Sequence, residues 1–301
     1  MRARPISFSF PHRLGFGCSG PWAEPWFSEK KARAVLFAAL EGGVRHVDTA
    51  GFYAKGEAER RLGRALKEFG EPLFVSTKIG KRYQGGRAPV QDFSPAAVRS
   101  DVEASLARLC LERIDLLYLH GPGDWEITGA AETLARLREE GKIDLVGVCS
   151  EGIWLDRAID LDLDVVMAPY NLFDRRHAAA FQKAKAKGMG VVAIAPLAQG
   201  LFRRDFLFPK TPADLWHVAR AVGKNPRKLR EARAARRLLN SVEGWTPAQL
   251  ALAFVHANPA VDVAVTTTTK AAHFMESLAA AGRPLAGENR RLLEALAPVT
   301  P

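Results

Sequence analysis

Asp48, Tyr53, Lys78 and His120 are residues of types that can move a proton together. Asp48, Lys78 and His120 each close a short apolar run, and Tyr53 stands in the loop just beyond Asp48. A phenol with an ordinary pKa of about 10 is a weak acid at neutral pH; a neighbouring ammonium favours the phenolate, lowers that pKa and eases proton donation to a carbonyl oxygen. Asp48 is then expected to offset the buried charge of Lys78 and fix its position, and His120 to hydrogen-bond the carbonyl oxygen and orient the substrate. Each residue alone has a plain structural alternative: a turn cap for Asp48, a packed loop aromatic for Tyr53, a surface cation for Lys78, a satisfied histidine for His120. Jointly they point to carbonyl reduction. None of the four donates hydride, so a nicotinamide is expected to supply it.

The elements that must bring these residues together are legible as eight short runs rich in Val, Ile and Leu: 14–17, 44–48, 73–78, 115–120, 145–149, 165–169, 191–195 and 261–265. Longer amphipathic stretches alternate with them, such as 31–40 and 97–109, with start signals at Ser94-Pro95 and Thr246-Pro247. Gly42-Gly43, Gly70, Gly141 and Gly188 stand just before strands, where a left-handed cap ends a helix. This alternation predicts an α/β chain folded as one (β/α)8 TIM barrel domain over residues 1–301, with its site at the C-terminal strand ends. The alternative is an open doubly wound sheet. Gly15-Phe16-Gly17-Cys18-Ser19-Gly20 matches a dinucleotide fingerprint formally, but Pro21-Trp22-Ala23-Glu24-Pro25 follows where a helix must open, so the match is set aside. Residues 200–243 are too long for a simple connection. They predict an extra basic helical insertion before the last βα unit, broken at Lys224-Asn225-Pro226 and continuing as a basic helix over 227–239.

Composition narrows the function. Three cysteines, Cys18, Cys110 and Cys149, cannot all pair and suit a reducing compartment. No apolar run approaches a membrane span, and Met1-Arg2-Ala3-Arg4-Pro5 lacks an export signal, so a soluble cytoplasmic protein is expected. His46-Val47-Asp48 lacks a further ligand at suitable spacing, and no metal is expected. The net charge of +10 is local: between Arg203 and Arg237, eleven lysines and arginines face three acids. That run reads either as a solvated helical face or as a loop holding an anionic ligand. It does not argue for nucleic-acid binding.

The chain resembles the aldo-keto reductases. The resemblance rests on Gly43-Val44-Arg45-His46-Val47-Asp48-Thr49-Ala50-Gly51-Phe52-Tyr53, on Gly56-Glu57-Ala58-Glu59 with Leu62-Gly63, on Val75-Ser76-Thr77-Lys78 and on Asp115-Leu116-Leu117-Tyr118-Leu119-His120. Pro169-Tyr170-Asn171-Leu172, Ala195-Pro196-Leu197-Ala198-Gln199-Gly200-Leu201 and Leu250-Ala251-Leu252-Ala253-Phe254 continue it in order. It implies a monomer or weak oligomer that prefers NADPH, with NADH second, and acts on a small-molecule carbonyl compound. Tyr53 is then the general acid, tuned by Lys78 and Asp48, and His120 orients the carbonyl. Further implied cofactor contacts are Gly17, Tyr170 stacked on the nicotinamide, and the stretch Leu197, Gln199, Gly200 and Leu201 beside the pyrophosphate.

The departures from the family pattern all concern the cofactor. Cys149-Ser150 stands where the family has Ser-Asn, and Met167 where it has Gln, leaving Ser150 to bond the carboxamide. At the adenine end Thr267, Thr268, Lys270 and His273 offer either a 2′-phosphate site at a helix N-terminus or a merely structural strand end, and Glu276-Ser277 replaces a Glu-Asn pair. Trp22 and Trp26 are expected either as substrate-pocket walls or as ordinary packing. Specificity is assigned to the loop after the first strand, to 121–129 and to the insertion, where Arg203, Arg204 and the 227–237 cluster leave an anionic substrate open. Two further functions remain: a sugar or alcohol dehydrogenase using NAD(P)+ on the same fold, and a weakly active NADPH-binding sensor or scaffold subunit.

Overall fold

The computed structural model describes residues 10–83, 89–161, 163–198, 209–224 and 235–296. Eight parallel strands close into a barrel: β1 (Leu14–Gly17), β2 (His46–Asp48), β3 (Phe74–Ile79), β6 (Ile114–His120), β7 (Ile143–Cys149), β8 (Val165–Pro169), β9 (Gly190–Ile194) and β10 (Val263–Thr266). Closure is by β1, which pairs with both β2 and β10. All eight expected strands are present, with ends shifted by one or two residues at most positions. The expected helices run Glu29–Glu41 and Pro95–Leu109, and Thr246 caps Pro247–His256 through a hydrogen bond from the Gln249 backbone. The left-handed caps fall on Gly43, Gly70, Gly141 and Gly188, all at positive φ.

A two-stranded antiparallel hairpin that the sequence did not disclose, β4 (Lys81–Arg82) with β5 (Val90–Gln91), leaves the barrel directly after β3. Its residues lack the β-branched alternation that marks a strand, so only the neighbouring barrel rim defines it. The stretch 121–129 is not a loop throughout, because the helix Asp124–Glu139 already opens there, leaving Gly121–Gly123 at the rim. Within the long segment before β10, Pro212–Lys224 is helical, as are residues 235–239. Residues 200–208 and 225–234 of the expected insertion, with Arg203, Arg204 and the Asn225-Pro226 break, lie outside the described residues. No helix among the described residues is long and apolar enough to cross a membrane.

Period-two alternation puts one face of every strand inside the barrel. Leu116, Tyr118, Leu145, Val165, Met167, Val192, Val263 and Val265 fill the interior, while the opposite faces pack on the helices in a larger core. The same alternation turns Ser76 and Lys78 inward from β3 and Thr77 outward toward the helix Glu57–Phe69, where it donates to Glu59 Oε1 at 2.6 Å. The barrel is therefore a packed floor on which polar side chains at the strand ends stand.

Candidate active site

Register sets the polar cluster. Gly17 pairs with Asp48, Asp48 with Ser76, and Lys78 with Tyr118, so the β2 and β3 side chains meet above the apolar layers. Lys78 is 2% exposed and Asp48 4%. The Lys78 ammonium donates to Asp48 Oδ2 at 2.5 Å and to the Thr49 carbonyl at 2.8 Å. The other carboxylate oxygen accepts from Ser76 Oγ at 2.8 Å. The serine proton being committed to Asp48, His46 Nε2 at 3.0 Å must donate to Ser76 Oγ, which leaves the buried Nδ1 of His46 as a bare, unpartnered acceptor. Burial, with the Lys78 charge, pulls His46 down to about 3, so this imidazole is neutral.

Tyr53 follows β2 on a loop held from behind. Glu59, fully buried, accepts from Arg108 Nε at 2.6 Å as well as from Thr77. Ala54 and Lys55 take left-handed conformations, with φ of 47° and 55°, an uncommon state for non-glycine residues that surrounding contacts must hold in place. The result places Lys78 Nζ 5.3 Å from the centre of the Tyr53 ring, and the His120 ring edge-on to it with centroids 6.1 Å apart. The four expected residues thus stand together.

The electrostatics correct one expectation. Enclosure raises the Tyr53 phenol above its ordinary value; Lys78 opposes this without overcoming it, and Asp48 and Cys149 add to the rise. The protonated phenol is therefore the resting form. Burial works against the Lys78 ammonium too, but Asp48, with Tyr53 and Cys149, outweighs it and Lys78 ends above its ordinary value. Burial, then the charges of Lys78 and Lys81, hold His120 well below the usual imidazole value, so it is neutral and has one N–H to give. Its buried Nδ1 has no partner among the described residues. Burial also pushes the Cys149 thiol up to about 11, which keeps it a thiol at neutral pH.

These groups open into one cavity of about 1060 Å³ that continues across the barrel mouth to the helix Ala271–Leu278. Gly17, Ser150, Leu197, Thr267, Thr268, Lys270, His273, Glu276 and Ser277 all line it. Gly17 is required there, since a Cβ would stand 2.5 Å from Thr267 Oγ1. Lys270 is 43% exposed along its side chain and reaches Asp214 only at 3.9 Å, and the helix behind it opens on the cavity. The Ser277 hydroxyl is already given to the His273 carbonyl, at 3.1 Å. An elongated, partly polar trough with a cation and a helix N-terminus that carries no side-chain cap at one end fits a nicotinamide dinucleotide. Among the described residues no cluster of His, Cys, Asp or Glu is suited to a metal.

Four expected contacts are elsewhere. Met167 is wholly buried in the barrel interior; Pro169, two residues higher on β8, reaches the cavity instead. Tyr170, one step on, faces outward and packs on Phe181 and Phe254 with centroids 5.7 and 6.0 Å away, so it cannot stack in the cavity. Ile194, at the end of β9, lines it. Trp22 is fully buried, its indole N–H donating to Ala32 O at 3.0 Å, and Trp26 is half exposed against Phe27; neither lines the cavity, which has Trp154 and Trp216 as its tryptophans. Gln199, Gly200 and Leu201 lie outside the described residues. Alternation along β9 signals Ile194, whereas nothing local signals Trp216, which comes from the distant helix Pro212–Lys224.

Residues 13–297 match the Aldo/keto reductase family. The chain belongs to that family. Its relatives include a D-threo-aldose 1-dehydrogenase from a Pseudomonas species, 33% identical over 63% of this chain and 68% of the relative. A glycerol dehydrogenase from Gluconobacter oxydans has a similar structure, with a TM-score of 0.82 at 26% identity over 98% of this chain and 94% of that one. An aldo-keto reductase from Bacillus halodurans, in its holo form, gives 0.80 at 27% identity over 100% and 97%. As an aldo/keto reductase the protein is an oxidoreductase of small-molecule carbonyl compounds, in a family that works with nicotinamide cofactors.

Proposed function

We propose that this aldo/keto reductase reduces an aldehyde or ketone to the alcohol, with NADPH preferred and Tyr53 as general acid. The observation that carries the reading is the buried Lys78 ammonium, held by Asp48 beside the Tyr53 ring in a cavity shared with His120. Ser150, Ile194 and Leu197 would hold the nicotinamide end of the cofactor, and Thr267, Thr268, Lys270 and His273 the phosphate-bearing adenosine end. When bound, the nicotinamide supplies the hydride.

The chain's own residues supply the rest. Tyr53, protonated at neutral pH, gives its proton to the carbonyl oxygen as charge develops there. Lys78 stabilises the phenolate left behind, and Asp48 keeps that ammonium in place and charged. The neutral His120 directs its N–H at the same oxygen and so fixes which carbonyl geometry reacts. Run backwards, the same set oxidises an alcohol, the direction named for dehydrogenases that the chain resembles.

Titration with NADPH and with NADH, followed by tryptophan fluorescence, and then addition of a panel of small aldehydes tests this reading. Tight NADPH binding with cofactor consumption is the expected result. Tight binding with no turnover in either direction would overturn it, and turnover confined to sugars or alcohols with NAD(P)+ would replace it with the dehydrogenase.

A further inference from the structure

Lys81 stands at the substrate end of the cavity with no acidic partner among the described residues. It stands two residues past the end of β3, opens the hairpin β4–β5, and lines both the main cavity and a smaller one of about 260 Å³ behind the Tyr53 loop. A methyl group built on Gly121 would lie 3.2 Å from Lys81 Nζ and 3.6 Å from Gln91 Nε2. The ammonium therefore fills the space over the glycine next to His120. Gln91, opposite Lys81 in the hairpin, donates to the Gly121 carbonyl at 2.8 Å and ties the hairpin to that rim.

The other cations around the Tyr53 loop are accounted for. Lys78 is paired with Asp48, Arg108 with Glu59 at 2.6 Å and Arg82 with Asp101 at 3.2 Å. Lys55 lies over the Tyr83 ring, 5.4 Å from its centre. Of the cavity's acids, Glu151 is taken by Arg176 at 2.8 Å and Asp214 lies beside Lys270, while Glu24 and Glu276 belong to the loop after β1 and to the helix Ala271–Leu278. Lys81 has no acidic partner among the described residues, and residues 84–88, outside them, contain no acid in sequence. A half-buried ammonium without a counter-charge is costly, and a charge-assisted hydrogen bond from a ligand is what relieves it.

We propose that Lys81 selects carbonyl substrates that carry an anionic group, carboxylate or phosphate, a few bonds from the reacting carbon. The proposal rests on the reductase reading of the same cavity. With the carbonyl oxygen at Tyr53 and His120, the anion of a short substrate meets the ammonium over Gly121, and the aromatic pair Phe52 and Tyr83, stacked with centroids 4.9 Å apart, flanks the chain between them.

The test compares matched aldehydes with NADPH: butanal against 4-oxobutanoate for the carboxylate, and glyceraldehyde against glyceraldehyde 3-phosphate for the phosphate. In the unaltered protein kcat/KM for at least one anionic member exceeds that of its neutral match by about tenfold or more. Lys81→Met lowers that ratio about tenfold, mainly through KM, and Lys81→Arg restores most of it. The arm that shows the preference identifies the anion. Binding of the unreactive butanoate and glycerol 3-phosphate, followed by tryptophan fluorescence, weakens in parallel in Lys81→Met. Turnover without anion preference, or a ratio that Lys81→Met leaves unaltered, overturns the proposal and leaves the reductase reading standing. Absence of turnover with every aldehyde, while the unreactive anions still bind through Lys81, overturns the reductase reading and keeps the anion site. Neither turnover nor anion binding overturns both.

Discussion

The two ends of the cavity are built differently. At the β2–β3 end, Asp48 and Lys78 are almost fully buried and locked to each other, to Ser76 and to the Thr49 carbonyl, with His46 behind them. At the β10 end, Lys270 is half exposed and 3.9 Å from Asp214, and Thr268 bonds only the backbone of Lys270 two residues on. The first end is organised before any ligand arrives, as electrostatic stabilisation of a reacting oxygen requires. The second offers a cation, hydroxyls and an open helix N-terminus, which gain their full set of bonds only when an anion is held. The chemistry should therefore depend steeply on single atoms at the first end, and affinity should depend on charge at the second.

The largest effect expected is at Tyr53. Tyr53→Phe removes the acid without disturbing the ring, and aldehyde reduction should fall by about 10³-fold, within the range for general acid catalysis. NADPH binding by fluorescence titration should stay within about twofold. Turnover at the unaltered rate would break the assignment of the β2–β3 end as the reacting one.

The pH profiles sharpen the same point. Oxidation needs the Tyr53 phenolate, and burial holds the phenol above its ordinary value of about 10, so alcohol oxidation should rise about tenfold per pH unit up to and beyond that value. Reduction uses the protonated phenol and should be flat from about pH 6 to 9, because His120, held well below its ordinary value, adds no limb there. A reduction rate that falls below pH 9, measured as kcat/KM with a neutral aldehyde, would contradict the raised phenol.

At the β10 end, Lys270→Ala should weaken NADPH about tenfold, the order of one charge-assisted bond, and NADH hardly at all. Equal weakening of the two would mean that Lys270 does not meet the extra phosphate. Ser76→Ala should have the smallest effect on rate, a few-fold loss in kcat, because it acts only through Asp48. It also strips His46 Nε2 of its acceptor, so a urea melt should show a loss of about 1–3 kcal/mol.

Much of the reacting end was legible because it obeys local rules. Asp48, Lys78 and His120 are strand-terminal residues, the barrel places strand ends on one mouth, and period-two alternation decides which side chains enter it. The misplaced contacts failed for a reason of the same kind. Tyr170 is one residue past Pro169 on β8, and that single step turns it out of the barrel against Phe181 and Phe254. Met167 has the correct face but stands one layer too deep. Trp22 and Trp26 share a loop with the rim, yet packing on Phe16 and Phe27 takes them from it.

What the amino-acid order determined by itself is the set of eight strands, the caps between them and the types of group at each strand end, since these follow from hydrophobic period and from the backbone freedom of glycine and proline. Tertiary structure alone decided that Tyr53 is a phenol held above its ordinary value, that Trp216 covers the loop at Gly20, and that Lys81 stands over Gly121 with no acidic partner among the described residues. Each of those depends on how far a side chain is from water and from residues remote in the chain, distances that exist only once the barrel has closed.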